Sequence, residues 1–327
     1  MTEDGCAAAV NGNTGNLLAQ RPGSLPDSIL LSAHMDRVEQ GLGIKPLIED
    51  DIVRTDGSTI LAGDDICGLS AILEGIQRAL EAGEPMRSIE ILFTVCEERG
   101  CLGSHHFNSG TLKSNCGFIF DFGGDFGKIV TKAPYKAVVT IEAFGKAAHA
   151  AAAPEKGINA VLGMCHMLDG IQDGKLDFES TANLGAISGG GDNIGTVCDY
   201  VKVQGEARSH QLEKLNQYLQ YVEERCAQRA QEFGITCKVT WEMAYNGYCI
   251  SQSSPVLSMA KEIMGELDTE PVEAQAMGGT DANNLNNASL ECVALGSGYY
   301  NAHSVQEYVR ISHLEKLAEF VHKAVTR

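Results

Sequence analysis

The chain has 327 residues, 44% of them hydrophobic, which is enough for one large or two ordinary folded domains. Its formal net charge of −18 argues against nucleic acids and anionic membrane surfaces as partners, because both are bound through clustered Lys and Arg. No apolar run approaches the roughly 20 residues that span a bilayer and the N-terminus lacks a signal-peptide pattern, so we expect a cytoplasmic protein without a membrane partner.

Short apolar runs predict buried strands of an α/β sheet, and amphipathic patterns predict helices between and after them. In chain order, the predicted elements are a strand at SILLSA (28–33), a helix over 66–82, strands at IEILFTV (89–95) and GFIFDF (117–122), and later a strand at LECVALG (290–296) and a helix over 312–326. In the first helix, apolar residues that include Leu73 and Leu80 recur at helical spacing. Both helices are expected to pack on the sheet.

The middle of the chain has a different pattern. Residues 135–145 and 200–209 alternate as half-exposed antiparallel strands, while 157–171 and 211–234 are amphipathic helices. Because apolar α/β elements resume only after this region, we predict an α+β domain inserted into the α/β domain. The predicted boundaries are 1–132, 133–246 and 247–327, with the first and last segments forming one domain.

Polar side chains follow each predicted strand at the point where it ends, or begin the helix beside it. These residues are His34, Asp36, Asp64, Asp65, Glu97, Glu98, Asp121 and, beyond the last strand, His303. In open α/β sheets ligands bind outside the carboxyl ends of the strands, so these side chains can converge there. Taken singly, each motif is more often a surface turn, a helix cap or a solvated pair of acids.

Two histidines with four or more carboxylates in one crevice need compensating positive charge. Lys or Arg does not follow every one of these strand ends. Imidazole together with carboxylate oxygen suits zinc or a similar first-row metal, whereas sites made only of oxygen suit magnesium or calcium. The pattern therefore favours two metal ions that share a carboxylate.

The ordered motifs resemble one known family from about residue 14 to the C-terminus. They are SAHMD, LAGDDICGLSAI, TVCEERGCLGS, FIFDFGG, GKAAHAAAAPEKGINAV, GEARSH, GGTDAN and NAHSVQEYV. Together they resemble the co-catalytic zinc peptidases of the peptidase T type, whose family includes carboxypeptidase G, aminoacylases and succinyl-diaminopimelate desuccinylase. The resemblance implies a mixed, largely parallel sheet flanked by helices, with an inserted α+β lid and dimerisation domain.

The resemblance also implies a ligand set. Two divalent metal ions per subunit are expected, zinc above all, although cobalt or manganese would suit the same donors. One ion would be held by His34, Asp121 and a bridging Asp64, and the other by His303, Glu98 and the same Asp64. The peptide bond between Asp64 and Asp65 is expected to be cis.

Two further acids have roles implied by the same resemblance. Glu97 would act as general base towards a metal-bridging hydroxide that attacks the scissile carbonyl. Asp36 would be the carboxylate that orients the imidazole of His34.

The inserted domain carries further positions that match the family. His149 matches a lid histidine that reaches the neighbouring subunit's active site and stabilises the tetrahedral oxyanion. Asn193 and Arg208 match positions near bound substrate, where Arg could clamp a carboxylate, and Gly279 in GGTDAN matches a backbone contact to substrate. The competing interpretation is that these are polar side chains facing solvent. A homodimer formed through the lid is expected.

The implied activity is hydrolysis of short peptides from the N-terminus, as a tripeptide aminopeptidase. The alternatives are another amidohydrolase of the family (an aminoacylase, dipeptidase or carboxypeptidase) or a non-catalytic peptide-binding relative. Ile66 and Met277 depart from the family pattern, where many members carry Lys and several carry Arg. Relatives also have an N-terminal helix and strand before NTGNLLA, a segment that we expect to be missing here.

Overall fold

The computed structural model describes residues 1–191, 193–287 and 289–327. Its strands are β1 (Thr2–Glu3), β2 (Leu17–Arg21), β3 (Ser28–His34), β4 (Pro46–Glu49), β5 (Ile52–Thr55), β6 (Ser88–Thr94), β7 (Cys116–Phe122), β8 (Lys128–Ala133), β9 (Tyr135–Phe144), β10 (Gly174–Lys175), β11 (Ser180–Gly189), β12 (Tyr200–Ser209), β13 (Thr236–Tyr245), β14 (Tyr248–Cys249), β15 (Val272–Gln275), β16 (Glu291–Gly296), β17 (Tyr299–Tyr300) and β18 (Tyr308–Arg310). Its α-helices are α1 (Ala7–Val10), α2 (Gly63–Ala82), α3 (Leu102–His106), α4 (Ala160–Leu168), α5 (Leu212–Phe233), α6 (Pro255–Glu266), α7 (Ala282–Leu285) and α8 (Ile311–Thr326).

The chain divides into two compact units. The first consists of Met1–Ala133 and Tyr248–Arg327, and the second is the intervening segment Pro134–Gly247. Within the described ranges, none of the helices combines the length and the apolar character that crossing a membrane requires.

The first unit is built on a mixed sheet that is parallel at its centre. The described residues form a nine-stranded sheet in the order β1-β2-β6-β3-β7-β16-β8-β14, with β15 also paired to β8. Neighbours from β6 to β16 are parallel, whereas β2 and β8 join this core antiparallel. The predicted fold class and the four predicted strands are confirmed, with strand ends that differ by one residue. Parallel strands bring their carboxyl ends to one edge of the sheet.

Both faces of this sheet are buried, as a largely parallel sheet requires. Helices α2, α6 and α8 cover one face through residues such as Ile72, Val256 and Phe320. On the other face, Ala282 and Leu285 of α7 pack against Leu30 and Ile119. The alternation of side chains along each strand explains why the runs are apolar at nearly every position.

Helix α2 packs through small residues rather than through all of its leucines. Leu73 and Leu80 are 55% and 45% exposed, so the expectation that they face the sheet is wrong. Gly75 faces α8 instead, and a Cβ there would lie 2.5 Å from the Ala318 carbonyl oxygen and 2.6 Å from the Cβ of Val321. Because the two helices approach this closely, α2 has a glycine where it faces α8, while Leu73 and Leu80 lie on the outer face.

The second unit is a five-stranded antiparallel sheet among the described residues, in the order β10-β11-β12-β9-β13. Helices α4 and α5 cover one face, where Met164 and Leu219 pack against Val139 and Val203. The two strands and two helices predicted here are confirmed, and β11 and β13 complete a sheet of the predicted α+β type.

Candidate metal centre

Five potential ligands meet at the carboxyl edge of the parallel strands in the first unit. His34 is the last residue of β3, Asp121 lies near the end of β7, and Glu98 follows β6. Asp64 lies in the first turn of α2, and His303 follows β17. Their donor atoms form two groups, each within 4.8 Å: His34, Asp64 and Asp121; and Asp64, Glu98 and His303. These groupings coincide with the ligand sets implied by the resemblance.

Asp64 belongs to both groups and directs one oxygen to each histidine. Its Oδ1 lies 3.1 Å from Nε2 of His34, and its Oδ2 lies 3.2 Å from Nε2 of His303. Asp121 Oδ1 is 3.9 Å from the same His34 nitrogen, and Glu98 Oε2 is 2.9 Å from that of His303. The peptide bond between Asp64 and Asp65 is cis, as predicted. A carboxylate in this position can bridge two cations.

The two histidines lie among carboxylates that favour their protonated forms. Burial opposes protonation of His34, but the hydrogen bond to Asp64 and the charge of Asp121 raise its pKa well above the usual value. The hydrogen bond to Asp64 also raises the pKa of His303 to about 9, with Glu98 contributing. This edge of the sheet therefore attracts positive charge.

The acids of the site differ from one another in pKa. Burial opposes ionisation of Asp64, but hydrogen bonds from His303 and His34 outweigh it and lower its pKa to about 2. Burial raises the pKa of Glu97 to about 8, with the negative charge of Asp281 acting in the same direction. Asp64 is thus a stable anion, whereas Glu97 is a carboxylate that readily accepts a proton.

Asp36 connects the end of β3 to the two glutamates. Its carboxylate accepts hydrogen bonds from the backbone amides of Glu97 at 3.0 Å and Glu98 at 3.2 Å. The Nδ1 atom of His34 lies 2.9 Å from the Asp36 backbone carbonyl oxygen and 3.6 Å from Oδ1. Because a carbonyl oxygen can only accept, Nδ1 carries a proton, so Nε2 is the nitrogen that would ligate a cation once the ring is neutral.

The donor set fits divalent cations of the zinc type. Two imidazole nitrogens and three carboxylates are the ligands that such ions prefer. Glu98 Oε1 is buried and has no hydrogen-bond partner among the described residues, and a buried carboxylate oxygen needs one. His303 is 53% exposed at its side chain, which leaves this side of the centre open to a substrate.

Asp281 is a neighbour of the site that sequence reasoning missed. It is 1% exposed, accepts a hydrogen bond from the Thr94 hydroxyl, and is the first charge, after burial, that raises the pKa of Glu97. Asp281 belongs to the GGTDAN motif, but the motif by itself indicates only a backbone contact at Gly279. Gly279 itself is half-buried in the loop between β15 and α7.

The other three predicted residues lie in the second unit. His149 is exposed, and its Nδ1 accepts hydrogen bonds from the amides of Ala151 and Ala152, both at 3.2 Å. Asn193 is exposed in the loop between β11 and β12, where its Oδ1 accepts from the Gly195 amide at 3.1 Å. Each of these loops therefore has a defined local conformation.

Arg208 lies on β12, and its Nε donates to Oε1 of Glu206 at 2.7 Å. Lys136 pairs with the other oxygen of Glu206, also at 2.7 Å. Arg208 is thus held within a surface network of charges with Glu206 and Lys136.

The sequence matches the profile of peptidase family M20/M25/M40 over residues 30–327. It is 34% identical over 323 residues to the uncharacterized protein YqjE of Bacillus subtilis, a match that covers 98% of this chain and 86% of that protein. Peptidase T of Edwardsiella ictaluri is 25% identical over 287 residues, covering 84% of this chain and 67% of that protein. The chain thus spans about two thirds of the length of that peptidase T.

Solved structures of similar fold cover nearly all of the chain. The crystal structure of the aminopeptidase PepT from Bacillus cereus superposes with a TM-score of 0.87 at 33% identity, covering 99% of this chain and 87% of that one. A tripeptidase from Staphylococcus aureus superposes with a TM-score of 0.90 at 30% identity, again covering 99% and 87%.

Proposed function

Because the chain belongs to peptidase family M20/M25/M40, and so to a family of metal-dependent peptide hydrolases, we propose that it is a di-zinc tripeptide aminopeptidase. The observation that carries the proposal is the placement of Asp64, whose two oxygens lie 3.1 and 3.2 Å from different histidines. The names of its relatives, peptidase T, PepT aminopeptidase and tripeptidase, support this substrate class.

The five ligands divide between two cations. His34, Asp64 and Asp121 would hold one, and Asp64, Glu98 and His303 the other. When bound, the two cations would polarise the scissile carbonyl and lower the pKa of a coordinated water. Zinc is the favoured metal because the donors are imidazole and carboxylate.

Glu97 moves protons during the reaction. As the base, Glu97 would take a proton from the attacking water and then give it to the departing amine. Asp36 binds the backbone amides of both Glu97 and Glu98 and so fixes the base relative to a ligand. The adjacent acids thus have separate roles, with Glu98 on the metal and Glu97 on the water.

His149 is proposed to stabilise the oxyanion of the tetrahedral intermediate. Because two backbone amides donate to its Nδ1, the proton of the neutral ring lies on Nε2, which can donate to a developing negative charge. By analogy with the family, we propose that the histidine acts in the active site of the neighbouring subunit of a homodimer.

A mixed-dimer experiment tests this role. His149→Ala is expected to lower kcat by about 10²–10³-fold, the usual loss for an oxyanion donor, with little change in metal content. Mixing it with inactive Glu97→Gln protein should restore activity, because each mixed dimer has one site with an intact base and an intact partner histidine. His166→Ala in the same unit serves as control and should retain full turnover. Failure of the mixture to regain activity would contradict action across the dimer.

Three residues are proposed to bind the peptide itself. Arg208 would exchange Glu206 for the C-terminal carboxylate of the substrate, since Arg pairs with carboxylates in a bidentate manner. Asn193 and Gly279 would contact the peptide backbone. The proposed substrate is therefore a short peptide whose C-terminal carboxylate and backbone are both bound by the protein.

A substrate panel tests the proposed specificity. We expect hydrolysis of tripeptides with a free α-amine, and loss of at least about tenfold in kcat/KM, or roughly 1.4 kcal/mol, when the amine is acetylated. Amidation of the C-terminus should raise KM in the wild type and much less in Arg208→Ala. Preferential hydrolysis of N-acetylated amino acids, or release of C-terminal residues, would instead identify one of the other amidohydrolase activities of the family.

A further inference from the structure

Glu307 is a buried carboxylate that binds the loop in front of the bridging ligand. It is 1% exposed. Its Oε2 accepts hydrogen bonds from the amides of Leu61 at 2.9 Å and Ala62 at 2.8 Å, and its Oε1 accepts from the amide of Asp64 at 3.0 Å. Both oxygens are thus used on backbone amides.

The loop that receives Glu307 is shaped to surround an anion. Ala62 has a left-handed backbone, with φ of 62° and ψ of 34°, which turns successive amides towards one point. Gly63 allows the close approach, because a Cβ there would lie 3.2 Å from Oε1 of Glu307 and 2.6 Å from Cγ2 of Val309. The side chain of Glu307 occupies the anion position of this concave backbone.

The same glutamate stands on the loop that carries the other histidine. Its own amide donates to the Ser304 carbonyl oxygen at 3.1 Å, and the Ser304 hydroxyl donates to the Asn301 carbonyl oxygen at 2.8 Å. His303 lies within this hydrogen-bonded turn. Glu307 therefore ties two loops, far apart in sequence, that each supply a ligand to the same centre.

We infer that Glu307 is a positioning residue that holds the Asp64 carboxylate between the two cation sites. The inference rests on the proposed di-metal function and adds a residue that neither the ligand set nor the base includes. Glu307 acts through the backbone of Asp64, because both of its oxygens are already bound to amides. Removing its charge should loosen the bridge rather than remove a ligand.

The test uses Glu307→Gln and a matched control, Glu90→Gln. Glutamine keeps the shape but turns an NH₂ group towards either the Asp64 amide or the amides of Leu61 and Ala62. Glu90 is also buried in the first unit, and its Oε2 accepts from the amides of Lys113 at 2.9 Å and Ser114 at 2.8 Å. Like Glu307, it holds backbone amides in place, but its amide partners lie outside the loops that carry Asp64 and His303.

Metal affinity is measured by competition between the purified protein and a chelator of known zinc affinity. Glu307→Gln is expected to weaken zinc binding by about 10- to 100-fold, the usual cost of losing a partner that orients a ligand, while Glu90→Gln leaves it unchanged. In the metal-free proteins, hydrogen exchange should accelerate at the amides of Leu61, Ala62 and Asp64 in Glu307→Gln alone. Circular dichroism confirms that both variants are folded.

The outcomes separate this inference from the proposed function. If wild-type protein binds two zinc ions and Glu307→Gln binds them with the same affinity, the positioning role is wrong and the proposed function stands. If both variants lose affinity equally, Glu307 contributes only general stability, and the positioning role is again wrong. If wild-type protein does not bind two ions, the proposed function itself fails.

Discussion

Replacing Glu97 with glutamine is expected to lower peptide turnover by about 10²–10⁴-fold, the usual contribution of a general base. The metal content should stay at the wild-type value, because Glu97 belongs to neither ligand group. The side chain keeps its size, so its contact with the Cys101 thiol, at 3.2 Å, places no new demand on the fold. Turnover and the metal-to-protein ratio are measured on the same preparation, so that loss of activity can be separated from loss of metal.

The adjacent residue supplies the control. Glu98→Gln differs from the first variant by one position on the same turn, and Asp36 binds the amides of both residues. It should lose the zinc ion of the His303 group as well as activity. One oxygen of Glu98 lies 2.9 Å from His303, and the other is buried without a partner among the described residues. Near-normal hydrolysis by Glu97→Gln would show that another group acts as the base.

Replacing Asp64 with alanine should reduce metal binding more than replacing Glu98 with alanine. Its two oxygens serve both ligand groups, so the variant is expected to lose both ions, whereas Glu98→Ala should retain the ion held by His34 and Asp121. Removing Asp64 also removes the group that most favours protonation of His303, so the pKa of that imidazole should fall from about 9 towards its usual value. Metal analysis of the two variants beside wild type measures the first effect.

The number of ions that each variant loses decides whether the two cation sites share Asp64. If Asp64→Ala keeps one tightly bound ion, its carboxylate serves a single site and the bridge is wrong. Equal losses in Asp64→Ala and Glu98→Ala would show instead that the two ions bind only together. NMR titration of the His303 ring in the metal-free protein provides a readout that does not depend on zinc.

The strands and the ligand cluster could be predicted because their signals are local. Each central strand is an apolar run with a polar residue at its end, and parallel pairing brings those ends to one edge. His34, Glu98 and Asp121 therefore converge as the sequence suggests. The pairing of Asp64 with both histidines depends on the turn at the start of α2, and only the resemblance indicated it.

Other features depend on contacts between distant segments. Leu73 and Leu80 fit the helical period, but the close approach of α2 and α8 requires small residues on the inner face. Glu307 follows an ordinary turn in the sequence, and its partners at Leu61 to Asp64 lie more than two hundred residues earlier. Hydrophobic periodicity does not predict this pairing, because it arises only when β5 and β18 pair and bring the two loops together.

The most direct measurement of the central claim is the zinc content of the wild-type chain together with its hydrolysis of a tripeptide, before chelation, after chelation and after zinc is restored. The account predicts about two ions per chain, loss of hydrolysis with the ions, and recovery of both when zinc or cobalt is added back. Less than about one tightly bound ion per chain, with no hydrolysis regained on adding either metal, would contradict it and favour a non-catalytic peptide-binding protein.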